Sequence, residues 1–299
     1  MKTTAQAFAN RIQNEDATLV IEMLSDLHIG FTQNTKSLTA ALESIWKRKV
    51  RHVFIAGDLT ANGYFWQQNK VFQALEEFPI HYAIALGNHD TYRGKHVHDI
   101  RVHPHYRKQY SKHSTQLYYD LSLPSVHVYV INSEQPCKDG IFLSTKQKHW
   151  LLRGLQKEAP ETLSIILAHH PLQDTHPHSD DPHTSLSLAQ LHPTELHTAH
   201  ERILYISGHT HIDYSQSVPI YKNGIYFLNL PSFVKPDQKK GEGKKGIQLQ
   251  VYPDFLYVRT RDYQQDEWIT SHEYILDLTK SQILPFDANP LNNTKMSSS

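Results

Sequence analysis

The chain has 299 residues, and its 30 basic and 30 acidic side chains cancel at neutral pH. That length suits one large domain or two small ones, and the balanced charge excludes the strong basic field that draws in long nucleic acids. A single cysteine, Cys137, excludes an internal disulfide and suits a reducing compartment. The first sixteen residues lack the apolar segment of a signal peptide, and no run approaches the roughly 18 apolar residues of a membrane span. The sequence therefore predicts a soluble cytoplasmic chain with no membrane partner.

In chain order, residues 18–25 (TLVIEMLS) form a strand-like apolar run that ends at Asp26-Leu27-His28. Residues 35–49 place Leu38, Ala41, Leu42, Ile45 and Trp46 on one face of a helix. A second apolar run, 52–56, stops at Gly57-Asp58. A helix over 67–77 follows, and a third run, 81–86, stops at Gly87-Asn88-His89-Asp90. This βαβαβ rhythm predicts parallel strands joined by helical crossovers, with each polar motif at the carboxyl end of a strand, where sites assemble in α/β sheets. Asp26 and Asp58 are 32 residues apart, and Asp58 and Asn88 are 30 apart, each about one βα unit.

Residues 91–117 read as polar and irregular. Strands are expected at 126–132, 163–168, 203–206, 225–230, 247–252 and 255–261, and a helix at 144–155 with Ser144 as its N-cap. The run 163–168 ends at His169-His170-Pro171, and 203–206 leads into Gly208-His209-Thr210-His211. Between them, residues 172–199 read as one long loop of the kind that is usually functional or disordered. Residues 235–245 (KPDQKKGEGKK) read as a solvated basic loop, and 281–299 as a loose polar tail after a single domain spanning 1–280. Histidine is over-represented, with 22 copies, about three times ordinary usage. Those outside the motifs cluster at 96–113 and 176–200 and read as surface loop residues, with adventitious metal binding as the sharper alternative.

The five motifs offer carboxylate, amide and imidazole groups and no thiolate, a donor set for divalent transition ions such as Mn, Fe, Zn, Co or Ni. In an extended segment residues two apart point the same way, so Asp26 with His28, and His209 with His211, are each expected to present two ligands together. Two cations neutralise the oxygens of an anionic phosphate ester, lower the pKa of a shared water and hold the ester in line. They need a bridging carboxylate, for which Asp58 is the candidate. A chance GNHD in a chain of this length is about a one-in-a-thousand event, GHTH is similarly rare, and both occur here behind DLH, GD and HH in strand-end order.

The pattern D-x-H, G-D, G-N-H-D, H-H, G-H-x-H resembles the calcineurin-like metallophosphoesterase superfamily over about residues 19–214. The resemblance implies an α/β fold, a four-layer α/β/β/α sandwich, with the site on its strand-end loops. It implies one metal on Asp26, His28, His211 and Asp58, and a second on Asn88, His169, His209 and the shared Asp58. His89 would contact the phosphate and assist the leaving group. His170 would stand behind the ligands as a support, and Asp90 would orient His89 or alternatively be a turn residue.

Departures narrow the resemblance. The protein phosphatases of the superfamily carry G-D-x-x-D-R-G and G-N-H-E, where this chain reads GDLTANG and GNHD. Purple acid phosphatases carry a metal-bound tyrosine three residues after the G-D aspartate, where this chain has Ala61. GDLTxxG, GNHD, HHP and GHTH, with Asn132-Ser133-Glu134 and Gln147-x-x-Trp150, look like class III cyclic-nucleotide phosphodiesterases and related bacterial diesterases. The leading expectation is a phosphodiesterase acting on a small diester such as a cyclic nucleotide. The alternatives are a phosphomonoesterase or nucleotidase with the same metals, or a binding module without chemistry. No stable nucleic-acid partner is expected.

Overall fold

Helix α1 (Lys2–Asn14) precedes three parallel strands, β1 (Leu19–Leu24), β2 (His52–Ala56) and β3 (His81–Ala85), which are joined by α2 (Lys36–Lys47) and α3 (Phe65–Glu76). A computed structural model of the protein describes residues 2–32, 34–97, 117–134, 140–234 and 243–286. α4 (Asn88–Val97) starts on the third motif itself. The second half supplies β4 (Tyr119–Leu123), β5 (Val126–Val130), α5 (Thr145–Leu155), β6 (Leu163–Leu167), α6 (Pro193–Ala199), β7 (Ile203–Ser207), β8 (Ile220–Lys222) and β9 (Ile225–Asn229). A meander closes the chain: β10 (Lys245–Val251), β11 (Phe255–Asp262), β12 (Glu267–Asp277) and β13 (Gln282–Pro285).

Two sheets result. One runs β13-β12-β11-β10-β1-β2-β3, the other β4-β5-β6-β7-β9-β8. They face each other across Ile21, Met23, Phe54, Leu249 and Val258 of the first and Val128, Ile165, Leu204 and Leu228 of the second, all essentially excluded from solvent. Of the helical stripe read from the sequence, Leu38, Ala41, Leu42 and Ile45 of α2 join Val71 and Leu75 of α3 on the outer face of the first sheet, whereas Trp46, at the edge of that stripe, is 40% exposed. Leu151 and Leu155 of α5 and Leu196 of α6 cover the outer face of the second. This is the expected α/β/β/α arrangement. Strands covered on both faces are apolar throughout, as in β6 (LSIIL) and β7 (ILYIS), both wholly buried. Ser144 caps α5 by accepting a hydrogen bond from Gln147 N at 3.2 Å.

Several elements depart from the sequence reading. The stretch 172–199 is not one loop: it ends in α6, whose N-terminus is capped by His192 and by the Glu195 side chain reaching back to the His192 amide. Lys245 is no solvated loop end. It opens β10 and is 5% exposed, and its Nζ lies 2.6 Å from Asp262 Oδ2. Residues 282–285, read as tail, pair with β12 as β13, and Phe286 is buried. His176 and His200, read as surface residues, are 8% and 7% exposed. Residues 98–116, 235–242 and 287–299, which hold most of the first histidine cluster, most of the basic loop and the rest of the tail, lie outside the described residues. Among the described residues no helix is long and apolar enough to cross a membrane.

Candidate metal centre

Every motif lands on the same edge of the two facing sheets, in the loops leaving β1, β2, β3, β6 and β7. The chain there is not extended. Asp26 (φ 54°), His28 (φ 43°), Asp58 (φ 51°), His209 (φ 70°) and His211 (φ 47°) all sit in the left-handed region, which non-glycine residues rarely adopt and which costs about 1–3 kcal/mol each. The expectation of extended Asp26-x-His28 and His209-x-His211 pairs is therefore corrected: left-handed turns at both residues of each pair aim the side chains inward. Glycine makes room for them. A Cβ on Gly87 would fall on Asp58 Oδ1, and one on Gly57, itself at φ 84°, would fall on the His169 ring.

The side chains converge in two clusters. In the first, the donor atoms of Asp26, His28, Asp58 and His211 lie within 4.8 Å of one another. His28 Nε2 is 2.9 Å from His211 Nε2 and 3.4 Å from Asp58 Oδ2, and His211 Nε2 is 3.4 Å from Asp26 Oδ1. In the second, His169, His170 and His209 converge within the same limit. His169 Nε2 lies 3.0 Å from Asn88 Oδ1, 3.1 Å from His209 Nδ1 and 3.5 Å from Asp58 Oδ2. Asp58 Oδ2 thus stands between the clusters. His89 lies against the first, its ring centroid 4.6 Å from that of His28.

These contacts fit cations better than they fit one another. His169 Nδ1 donates to the Ala56 carbonyl at 2.8 Å, which selects the tautomer whose neutral ring turns its Nε2 lone pair into the centre, as a metal ligand must; without a cation the protonated ring donates Nε2–H to Asn88 Oδ1 instead. Asp26 is fully buried, and its Oδ1 accepts no hydrogen bond among the described residues, although Oδ2 accepts from Ser25 Oγ at 2.6 Å and His209 N at 3.2 Å. The carboxylates demand positive charge. Burial raises the Asp26 and Asp58 carboxyls, yet neighbouring histidines, His211 for Asp26 and His169 for Asp58, hold both below the usual range. Burial lowers His169, but the charge and hydrogen bond of Asp58 and the charge of Asp26 outweigh it and push the ring up to about 10. Burial and the His169 charge push His209 down to about 3.

The supporting residues separate cleanly. Asp90 is a staple between loops: it accepts from Leu59 N (3.2 Å), Thr60 N (2.9 Å), Thr60 Oγ1 (3.0 Å) and Gly87 N (3.1 Å). Burial and the Asp58 charge raise its carboxyl to about 7. The His89 ring is oriented instead by the Ala61 carbonyl, 2.7 Å from Nδ1. His170 stands behind His209, with ring centroids 4.3 Å apart, its Nδ1 2.7 Å from Ser133 Oγ and its Nε2 3.5 Å from Glu134 Oε1. Gln147 brackets Asn132 through both its amide atoms, at 2.7 Å each, which fixes the 132–134 strand end. Ser25, missed in the sequence, had only its position beside Asp26 as a signal.

The family model described as calcineurin-like phosphoesterase matches residues 21–213. The chain belongs to this family. Calcineurin-like phosphoesterases bind two divalent metal ions, and the paired histidine and carboxylate clusters suit that number. Among curated proteins no sequence matches the chain. Among solved structures it resembles the purple acid phosphatase PPD1 from yellow lupin seeds, with a TM-score of 0.58 at 12% identity over 87% of this chain and 53% of that one. The chain thus spans about half the length of the lupin enzyme. It also resembles GAP50, the anchor in the inner membrane complex of Plasmodium, with a TM-score of 0.52 at 14% identity over 87% of this chain and 88% of that one. At such identities the likeness is one of fold, here shared by a phosphatase and an anchor.

Proposed function

We propose that this calcineurin-like phosphoesterase is a phosphodiesterase acting on a small diester. The observation that carries the two-metal phosphoesterase part of this reading is Asp58 Oδ2, 3.4 Å from His28 Nε2 and 3.5 Å from His169 Nε2, one carboxylate oxygen facing two donor clusters. A first ion would be held by Asp26, His28, His211 and Asp58, and a second by Asn88, His169, His209 and Asp58. Two such ions supply charge neutralisation of the phosphoryl group and acidification of a water. The neutral imidazoles and the Asn88 amide keep the net ligand charge low, so that the centre still attracts an anionic ester.

The chain's own residues supply the rest. His89 Nδ1 donates to the Ala61 carbonyl, which leaves Nε2 as the atom able to hold a proton for the leaving oxygen. Ala61 occupies the position at which purple acid phosphatases carry a tyrosine, so no tyrosinate ligand is available there. The segments GDLTANG, GNHD, HHP and GHTH support a diester over a monoester, and a cyclic nucleotide is one diester of the right size. The test is turnover of an aryl phosphodiester beside the matching monoester on manganese-loaded protein. Diester turnover well above monoester turnover is expected, and the reverse preference would make the protein a phosphomonoesterase.

A further inference from the structure

On the side of the centre marked by His89, the loops that carry its residues also carry rings. Phe31 lies three positions after His28, Tyr64 three after Ala61, and Tyr92 three after His89. Phe31 is 79% exposed and Tyr92 48%, two of the six strongly exposed large apolar side chains among the described residues, and Tyr64 and Trp66 are half-buried. Single exposed apolar residues need no explanation, but a group of rings on the loops that carry the site's residues does. Phe31 meets the Trp66 ring at 4.9 Å and 62° and the Tyr64 ring at 6.3 Å and 76°, and Tyr64 and Trp66 lie 6.4 Å apart at 26°.

The group is held in place. Ile29 N donates to Leu59 O and Ala61 N to Ile29 O, at 2.9 and 3.0 Å, so the Phe31 and Tyr64 loops move as one. Gln67 Oε1 accepts from Asn62 N at 3.1 Å and Tyr64 N at 3.3 Å, which fixes the entry to α3 and with it Tyr64 and Trp66. One of these rings stands beside the candidate acid. The Tyr92 ring lies 6.1 Å from His89 at 20°, and His89 is tied to the Ala61 carbonyl. A leaving oxygen held by His89 would lie beside the Ala61 loop, which carries Tyr64 and is bonded to the loop that carries Phe31. Lys70 Nζ sits 5.0 Å over the Trp66 ring and adds positive charge beside the rings.

We infer that Phe31, Tyr64, Trp66 and Tyr92 form a shelf that stacks the planar ring of the substrate's leaving arm, so that the enzyme prefers esters of nucleosides or other ring-bearing alcohols to simple alkyl esters. This rests on the phosphoesterase reading above and adds to it what that arm must be. Stacking on aromatic side chains is tolerant of which base is present, so the shelf selects for a flat ring and not for one base.

The test is calorimetric binding of adenosine 5′-monophosphate and of methyl phosphate to manganese-loaded wild-type protein and to Phe31→Ala, with Trp66→Leu as a second variant. The two ligands share the phosphate and differ in the ring. Wild type is expected to bind the nucleotide roughly ten- to a hundredfold more tightly. Phe31→Ala should remove most of that ratio and leave methyl phosphate binding unchanged. Equal wild-type affinities would overturn the shelf and leave the phosphate site standing. Binding of neither ligand would overturn the phosphoesterase reading and the shelf with it. Dimeric wild-type protein that becomes monomeric in Phe31→Ala would assign the rings to a second copy of the chain and overturn the inference.

Discussion

The backbone amide of His89 donates to Asp58 Oδ1 at 2.9 Å, while the other oxygen of Asp58 faces both donor clusters. The candidate acid and the candidate bridge are therefore positioned by one contact. Replacing His89 by alanine keeps that amide and removes only the ring. His89→Ala should retain both metal ions and lower kcat by roughly a hundredfold to ten-thousandfold, the ordinary span for loss of a general acid. Metal analysis beside steady-state kinetics checks both halves, and loss of metal in this variant would make His89 a ligand.

Gly87 has no room for a side chain, because its Cβ would occupy the position of Asp58 Oδ1. Gly87→Ala should displace Asp58 and reduce bound metal below two ions per chain while the sheets stay folded. Metal content and far-ultraviolet circular dichroism read the two separately. Full metal content in the variant would show that the loop gives way elsewhere.

Much of the centre was legible because its signals are local. Strand ends, motif residues and the apolar stripe of α2 are written in short windows, and β2 falls where its apolar run does, at 52–56. The left-handed turns were not legible, because positive φ is enriched in Asp and His yet still uncommon for them, and only the assembled site holds these residues there. β12 was missed for another reason. Its first half is largely exposed, and it exists through pairing with β11 across a register shift at Arg259/Thr260. Lys245 read as solvent-facing because its partner, Asp262, is 17 residues away.

Asp90 accepts four donors that join the Asp58 loop to the Asn88 loop. In Asp90→Asn one acceptor becomes an amide that faces those donors. A loss of about 1–3 kcal/mol is expected, the cost of buried polar groups left unpaired. Urea unfolding checks it, and unchanged stability would deny the staple.

His176 is buried with no hydrogen bond to either ring nitrogen among the described residues, and burial pushes it down to about 3. Above the unfolded value of about 6.5 the ring is neutral in both states and has no effect on the balance. Below it the unfolded chain takes a proton that the folded chain refuses. Stability should therefore fall by about 1.4 kcal/mol per pH unit on this account, and the fall should continue down to about pH 3. His176→Leu should lose less stability than wild type between pH 7 and pH 5, by up to about 2 kcal/mol in urea unfolding. Parallel pH dependence in the two proteins would refute the assignment.

The shared carboxylate is tested most directly by metal stoichiometry and phosphoester turnover, measured on the same samples of stripped, manganese-reloaded wild type and Asp58→Asn. The account predicts two ions per chain with turnover in the wild type, and fewer than two ions with turnover at background in the variant. An Asp58→Asn protein that still binds two ions and turns over would contradict the bridge. A wild type that binds two ions and hydrolyses neither diester nor monoester would contradict the enzyme.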